Sequence, residues 1–391
     1  MQNQLNKSIA IITSSPMSIN FFLRDQINEL SKLHKVTIIT NLNIKNENLL
    51  YKISPKIEII SVPIKREIKI LSDFRALIIL IKIFYFKKFN IIHSISPKAG
   101  FISMLSGWIT RTPIRLHTFT GQVWVTKKGV FRFILKLIDS IIVKLSTKII
   151  VDSFSQKEFL INEGVLKEKN YSLVLGNGSI SGVDLKRFYP DKIKRAKIRN
   201  KFNIKESDFL VLYLGRLKVD KGILDLIKAF KILKSQKLNS KLIIVGPDED
   251  NIKNKLIKQS SSLDGINFIP LTKKPEHFMM ASDIFVLPSY REGFGSSIIE
   301  AAACGIPAVA SNIYGLRDAV KNYETGLLFE PKSINQLSKA MLKLALDIKL
   351  CDLYGRQALL NAKKLYSQEI LTNEIINLYA SLLQNTKKEL I

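Results

Sequence analysis

Apolar residues in the first half of the chain fall in short runs separated by longer amphipathic stretches. IAIIT from Ile9, KVTIIT from Lys35, IEIISV from Ile57, IIHSI from Ile91, IRLHTFT from Ile114 and KIIVDS from Lys148 read as β-strands. Between most of them the spacing becomes helical, as in INFFLRDQINELSKL from Ile19. Strands alternating with helices predict parallel βαβ units. Near-continuous apolar strands predict a sheet covered on both faces. A charged, proline-containing connector with a small helix follows from Leu185 to Asp208, and then the pattern restarts. FLVLYLGR from Phe209, KLIIVG from Lys241, INFIP from Ile266, IFVLPS from Ile284 and PAVAS from Pro307 are the second set of strands. The expected fold class is therefore α/β, with two Rossmann-like doubly wound domains, 1–177 and 178–365, facing each other across a cleft. Residues 366–391 should form a C-terminal helix that crosses back to the first domain. In such sheets, ligands bind at the carboxyl ends of the strands.

Length and composition agree with two cores: 391 residues exceed one ordinary domain, and 46% are hydrophobic. The two cysteines, Cys304 and Cys351, are too few and too far apart for a disulfide framework or a zinc site, which suits a reducing cytoplasm. The apolar run Ile9–Ile12 is too short for the core of a signal peptide. The most apolar stretch, Ala76–Phe86, is broken by Lys82 and falls short of a bilayer span. A net charge of +27, shared by both halves, suits nucleic acid, an anionic membrane face or phosphorylated small molecules. A lysine-rich proteome would give the same excess. No aromatic-plus-basic RNA signature accompanies it.

Two stretches carry candidate chemistry. GRLKVDKG, Gly215–Gly222, places Arg216 and Lys221 between a strand end and a helix start, which reads as an anion site or, taken alone, as two solvated surface cations. It lacks the G-K-[ST] ending of a nucleotide P-loop. In PSYREGFGSSIIE, Gly293 and Gly295 leave backbone amides free where the next helix starts, near Ser296 or Ser297. Glu292 and Glu300 are eight residues apart, and carboxylates accept hydrogen bonds from sugar or ribose hydroxyls. Ser297-x-x-Glu300 also fits a helix capping box.

With these motifs the chain resembles the bacterial family 4 glycosyltransferases of GT-B fold. The family's E-x7-E motif stands as Glu292-GFGSSII-Glu300, and its phosphate-binding element as Gly215-Arg216 to Lys221-Gly222. GNGSISGVDLKRF from Gly176, ASNIYGLRDAV and ETGLLF resemble further family stretches, so the C-terminal half is covered almost continuously. IHSISPKAG and HTFTGQVW resemble the subgroup that builds O-antigen and capsule. The resemblance implies retaining transfer of a hexose or N-acetylhexosamine from a UDP-sugar to a polyprenyl-diphosphate-linked saccharide, by a peripheral enzyme on the cytoplasmic membrane face. It implies Arg216 and Lys221 on the donor diphosphate, Glu300 on ribose, and Glu292 on the sugar. The residues Gly215, Gly293, Phe294, Gly295 and Ser296 would complete the donor site. His117 would sit across the cleft near the sugar, a lone histidine after a strand being equally readable as structural, and no cofactor or metal is required. Ser15 and Lys98 are the acceptor-side candidates, although TSSPMSIN (Thr13–Asn20) lacks the paired glycines common in that loop.

Two further features have two readings each. Asp248-Glu249-Asp250 superficially matches a D-x-D metal motif but is expected to complement a helix dipole. The segment Lys127–Lys148 reads mostly as a core helix with a solvated lysine face, and alternatively as a basic face for anionic lipid. A nucleotide-sugar epimerase of similar fold remains an alternative, though no acid/base pair for it is visible. So does a basic nucleic-acid-binding protein with a degenerate transferase domain, against which the intact Arg216, Lys221, Glu292 and Glu300 set argues.

Overall fold

The computed structural model describes residues 6–42, 50–65, 69–167, 172–236, 239–261 and 263–388. It divides into two units, 1–181 with 369–391, and 182–368. The crossing points fall at 182 and 369, a few residues beyond the expected 178 and 366. There Val183 N donates to the Tyr366 carbonyl and Gln368 N to the Val183 carbonyl, which bonds the two connecting segments together.

The first unit holds a parallel seven-stranded sheet, ordered β3-β2-β1-β4-β5-β6-β7. Its strands are β1 (Ser8–Ile12), β2 (Lys35–Thr40), β3 (Glu58–Ser61), β4 (Ile91–Ile95), β5 (Ile114–Phe119), β6 (Lys148–Val151) and β7 (Ser172–Val174). Helix α1 (Pro16–Ser18), a π-helical turn and α2 (Arg24–Leu33) connect the first pair. Helices α3 (Ile70–Lys87), α4 (Pro97–Ile109), α5 (Gly129–Leu145) and α6 (Phe154–Asn162) follow β3, β4, β5 and β6 in turn. One apolar cluster includes Ala76, Leu80, Phe84, Ile102 and Ile142 from α3, α4 and α5. The opposite cluster joins Ile27 and Leu30 of α2 to Leu371, Ile375, Tyr379 and Leu383. Those four recur every fourth residue along α15 (Gln368–Lys388), so the C-terminal helix completes the first unit's core. A buried chain fixes it: His93 Nδ1 lies 2.6 Å from the Tyr379 hydroxyl, and His93 Nε2 lies 2.7 Å from the Thr118 hydroxyl.

The second sheet is also parallel, ordered β10-β9-β8-β11-β12-β13. Strands β8 (Phe209–Leu214), β9 (Ser240–Val245), β10 (Ile266–Ile269), β11 (Ile284–Leu287), β12 (Ala308–Ser311) and β13 (Gly326–Phe329) alternate with helices around one large core. These helices are α7 (Lys192–Lys201), α8 (Ile223–Ser235), α9 (Lys253–Ser260), α10 (Pro275–Ala281), α11 (Ser296–Ala303), α12 (Leu316–Ala319), α13 (Ile334–Leu346) and α14 (Ile348–Leu365).

Two expectations change. β7 and β13 are additional strands of three and four residues at the sheet edges, too short to show as apolar runs. Helix α5 lies on the core only along one face, through Ile142 and the half-buried Leu135, Ile138, Val143 and Leu145, whereas Val130, Phe131, Phe133, Ile134 and Leu137 are exposed. Among the described residues, no helix is long and apolar enough to cross a membrane.

Candidate active site

The loop after β8 is shaped by close backbone approaches. The Tyr213 hydroxyl donates to the Arg216 carbonyl at 2.8 Å, which fixes the chain just past Gly215. A 3-10 turn, Val219–Lys221, ends at Gly222 with φ +65°, and any Cβ there would collide with the Pro288 carbonyl. Glycine therefore lets this loop lie directly on the loop that follows β11. Three contacts staple the two loops: Arg291 Nε to Asp220 Oδ2 at 2.9 Å, Tyr290 N to the Asp220 carbonyl at 2.9 Å, and the Tyr290 hydroxyl to Asp225 Oδ2 at 2.6 Å.

This stapling turns Lys221 inward. Its ammonium is buried and meets Glu292 Oε1 at 2.5 Å, and the same oxygen accepts the Ser289 hydroxyl at 2.8 Å. Burial lowers the Lys221 pKa. The Glu292 carboxylate pulls it back up, and the nearby positive charge of Arg216 adds to the lowering. Arg216 and Lys221 of one loop and Glu292 of another thus form one electrostatic cluster. Ser289 was not anticipated. Its signal was a hydroxyl at a strand end, three residues before the carboxylate it binds.

Arg216 is half-exposed and donates to Glu249 Oε2 at 3.1 Å. Lys218 lies 3.6 Å from Glu249 and 3.4 Å from Asp250. This corrects the dipole reading of the acidic triplet. Only Asp248 serves the helix start, accepting from Ile252 N and Lys253 N, while Glu249 and Asp250 neutralise cations of the neighbouring strand's loop. Among the described residues, no group of three or more His, Cys, Asp or Glu could hold a metal ion.

The second stretch is also resolved. Helix α11 starts at Ser296, and its N-cap is Gly295 at φ +85°, with no side-chain cap bond. A Cβ on Gly295 would stand 2.5 Å from Leu316 Cδ2. The capping-box reading fails, because Ser297 lies inside the first turn and Glu300 in the second. Ile298 N donates to the Gly295 carbonyl at 2.8 Å, which leaves the amides of Ser296 and Ser297 as the donors for an incoming oxygen. Phe294 is fully buried and packs on Tyr366 with ring centres 5.3 Å apart, so it can offer a ligand only its backbone.

Glu300 is not part of the hydrogen-bonded Lys221–Glu292 group. Its carboxylate is partly buried and accepts no hydrogen bond among the described residues. Desolvation pushes its pKa up to about 7, Glu276 adds to the rise, and Arg187 opposes it. Arg187 is itself engaged, 2.8 Å from Glu276. A desolvated carboxylate without a donor is suited to receive ligand hydroxyls.

In the first unit the three candidates are placed differently from expectation. His117 is fully buried inside β5, against Gly100 and Phe119, with Nδ1 2.8 Å from the Ser94 hydroxyl. Burial lowers its pKa to about 3, so it is a neutral core histidine and is not presented to a sugar. Ser15 is buried and caps α1, accepting from Met17 N at 3.2 Å. Lys98 is held by Asp73 at 2.8 Å. Helix capping and ion pairing thus already engage these two side chains.

Two parallel doubly wound sheets, one bearing cations, a carboxylate and a helix start at its strand ends, form the kind of edge at which α/β folds bind anionic ligands. The comparisons specify it further. The profile of glycosyl transferases group 1 matches residues 194–359. The chain is 32% identical over 337 residues to the capsular polysaccharide biosynthesis glycosyltransferase CapM of Staphylococcus aureus, covering 83% of this chain and 86% of that one. It is 29% identical over 298 residues to an Escherichia coli UDP-Gal:alpha-D-GlcNAc-diphosphoundecaprenol alpha-1,3-galactosyltransferase, covering 72% and 73%. Sucrose-phosphate synthase from Thermosynechococcus elongatus superimposes with a TM-score of 0.81 at 23% identity, over 97% of this chain and all of that one. The chain belongs to the group 1 glycosyl transferase family, and it is a glycosyltransferase of GT-B fold.

Proposed function

We propose that this enzyme transfers a hexose or N-acetylhexosamine from a UDP-sugar to a polyprenyl-diphosphate-linked saccharide in surface polysaccharide assembly, with retention at the anomeric carbon. The observation that carries it is the buried Lys221–Glu292 pair beside Arg216, at the strand ends of the second unit. Its relatives' names, a capsular polysaccharide glycosyltransferase and a UDP-galactose enzyme acting on a diphosphoundecaprenol sugar, support the substrate class.

In this reading Arg216 leaves Glu249 and, with Lys221, binds the donor diphosphate, holding the charge that grows as the glycosidic C–O bond breaks. The α11 amides of Ser296 and Ser297, with the backbone around Gly215, Gly293 and Gly295, take further donor oxygens. Glu292 binds sugar hydroxyls and orients Lys221. Glu300 accepts from the ribose. The acceptor hydroxyl adds to the anomeric carbon on the face the diphosphate leaves, and its proton passes to a leaving phosphate oxygen. No metal takes part. The enzyme works at the inner membrane surface as a peripheral protein and binds no nucleic acid.

The test is a panel of UDP-sugars incubated with the purified enzyme and a lipid-linked saccharide acceptor, with and without EDTA. One donor should be consumed with an acceptor-dependent product, equally in EDTA. Epimerised donor without transfer, or reversible loss of activity in EDTA, would overturn the reading.

A further inference from the structure

Helices α3 and α5 carry large apolar side chains into solvent. On α3, Leu71 is 88% exposed, Phe74 60% and Ile78 40%, and they recur at helical spacing on one face. On α5, Val130 is 75% exposed, Phe131 47% and Phe133 66%. Single exposed apolar residues are ordinary, but two such stripes on helices flanking α4 are not. Helix α4 packs against both helices, so the stripes belong to one side of the first unit. The Lys98–Asp73 ion pair locks the first turns of α3 and α4 together at 2.8 Å. In a parallel sheet those first turns lie at the carboxyl ends of the strands, the edge that carries ligand sites.

The surrounding charge has one sign. Residues 69–88 contain Lys69, Arg75, Lys82, Lys87 and Lys88 against Asp73 alone, and Asp73 is paired with Lys98. Residues 127–148 contain six Lys or Arg against Asp139 alone, which is buried under the helix with the Trp124 indole N–H at 2.8 Å. Among the described residues, Glu163 is held by Arg132 and Lys136, and Glu58 is paired with Lys87 in the last turn of α3. An apolar surface rimmed by an excess of cations matches an anionic bilayer, whose headgroups meet the lysines while the rings enter the acyl boundary.

We propose that the exposed faces at the first turns of α3 and α5 dock this enzyme on anionic lipid, bringing the carboxyl edge of the first sheet to the membrane. This names the surface behind the peripheral association proposed above, but it does not depend on the donor or acceptor.

The test is flotation of the full chain with vesicles of phosphatidylcholine alone or mixed with phosphatidylglycerol, at low and high salt. The wild type should float with the mixed vesicles and release with salt. A Phe74→Ser, Phe131→Ser, Phe133→Ser variant should lose binding by at least about tenfold, and so should Lys127→Glu with Lys128→Glu. Both variants should keep the wild-type circular dichroism spectrum and thermal unfolding, which shows they are folded. Unchanged flotation of either variant would overturn the proposal. So would a wild type that forms dimers the phenylalanine variant cannot form while neither binds vesicles, since a second copy would then cover this face. A failed donor panel with intact flotation would sink the transfer reading and leave this one standing.

Discussion

Replacing Glu300 with glutamine separates a ligand-binding carboxylate from a structural one. Burial raises this carboxyl from 4.5 to about 7. A difference of that size corresponds to about 3 kcal/mol, an upper limit because water reaches part of the side chain. The sign follows from proton binding. Between pH 4.5 and about 7 the folded unit keeps a proton that the unfolded chain has lost. The stability is therefore fully present below 4.5, declines as pH rises to about 7, and is flat above. Glutamine cannot ionise, so Glu300→Gln should stabilise the second unit at pH 8 by up to about 3 kcal/mol, or roughly 6–12 °C in Tm, and hardly at all near pH 4. The same change removes a charged acceptor for ribose hydroxyls and should weaken UDP binding by about tenfold or more. Thermal unfolding at both pH values, with the second unit's transition identified by its shift with UDP, reads the first effect, and calorimetry reads the second. A variant less stable at pH 8, or one that binds UDP as the wild type does, would refute the reasoning.

Lys221→Ala should lower kcat by about 10²–10³ while circular dichroism stays unchanged, because a buried cation on the leaving diphosphate is lost; near-normal turnover would remove it from the site. Glu249→Gln frees Arg216 from an exposed ion pair worth about 0.2–1 kcal/mol, so UDP affinity measured by calorimetry should rise by up to about fivefold. An unchanged or weaker affinity would show that Arg216 does not meet the diphosphate. His117 has its pKa lowered to about 3, so its ring proton NMR signals should not move between pH 5 and 8. A titration near the ordinary histidine value would contradict its burial.

The alternation of strands and helices was legible because parallel strands covered on both faces leave unbroken apolar runs. KVTIIT was read as a strand from Lys35, and β2 occupies Lys35–Thr40. The loop chemistry was partly legible, since Arg216, Lys221, Glu292 and the flanking glycines are local patterns at strand ends. What the sequence could not provide is which distant elements become neighbours. Glu249 reaches Arg216 only because β9 pairs directly with β8. Lys221 reaches Glu292 because β11 pairs with β8 on its other side and Gly222 lets the two loops touch. The His117 motif looked like a strand-end ligand, but the close approach of Gly100 on α4 encloses it. Glu300 looked like a cap until the helix start fell at Ser296. The stripes of α3 and α5 have the same spacing whether a core or a bilayer covers them, and only the packed structure shows that protein does not. Propensity, periodicity and glycine placement act over a few residues and are written in the chain. Burial, ion-pair partners and pKa depend on strand order and packing across long separations, so tertiary structure alone decided them.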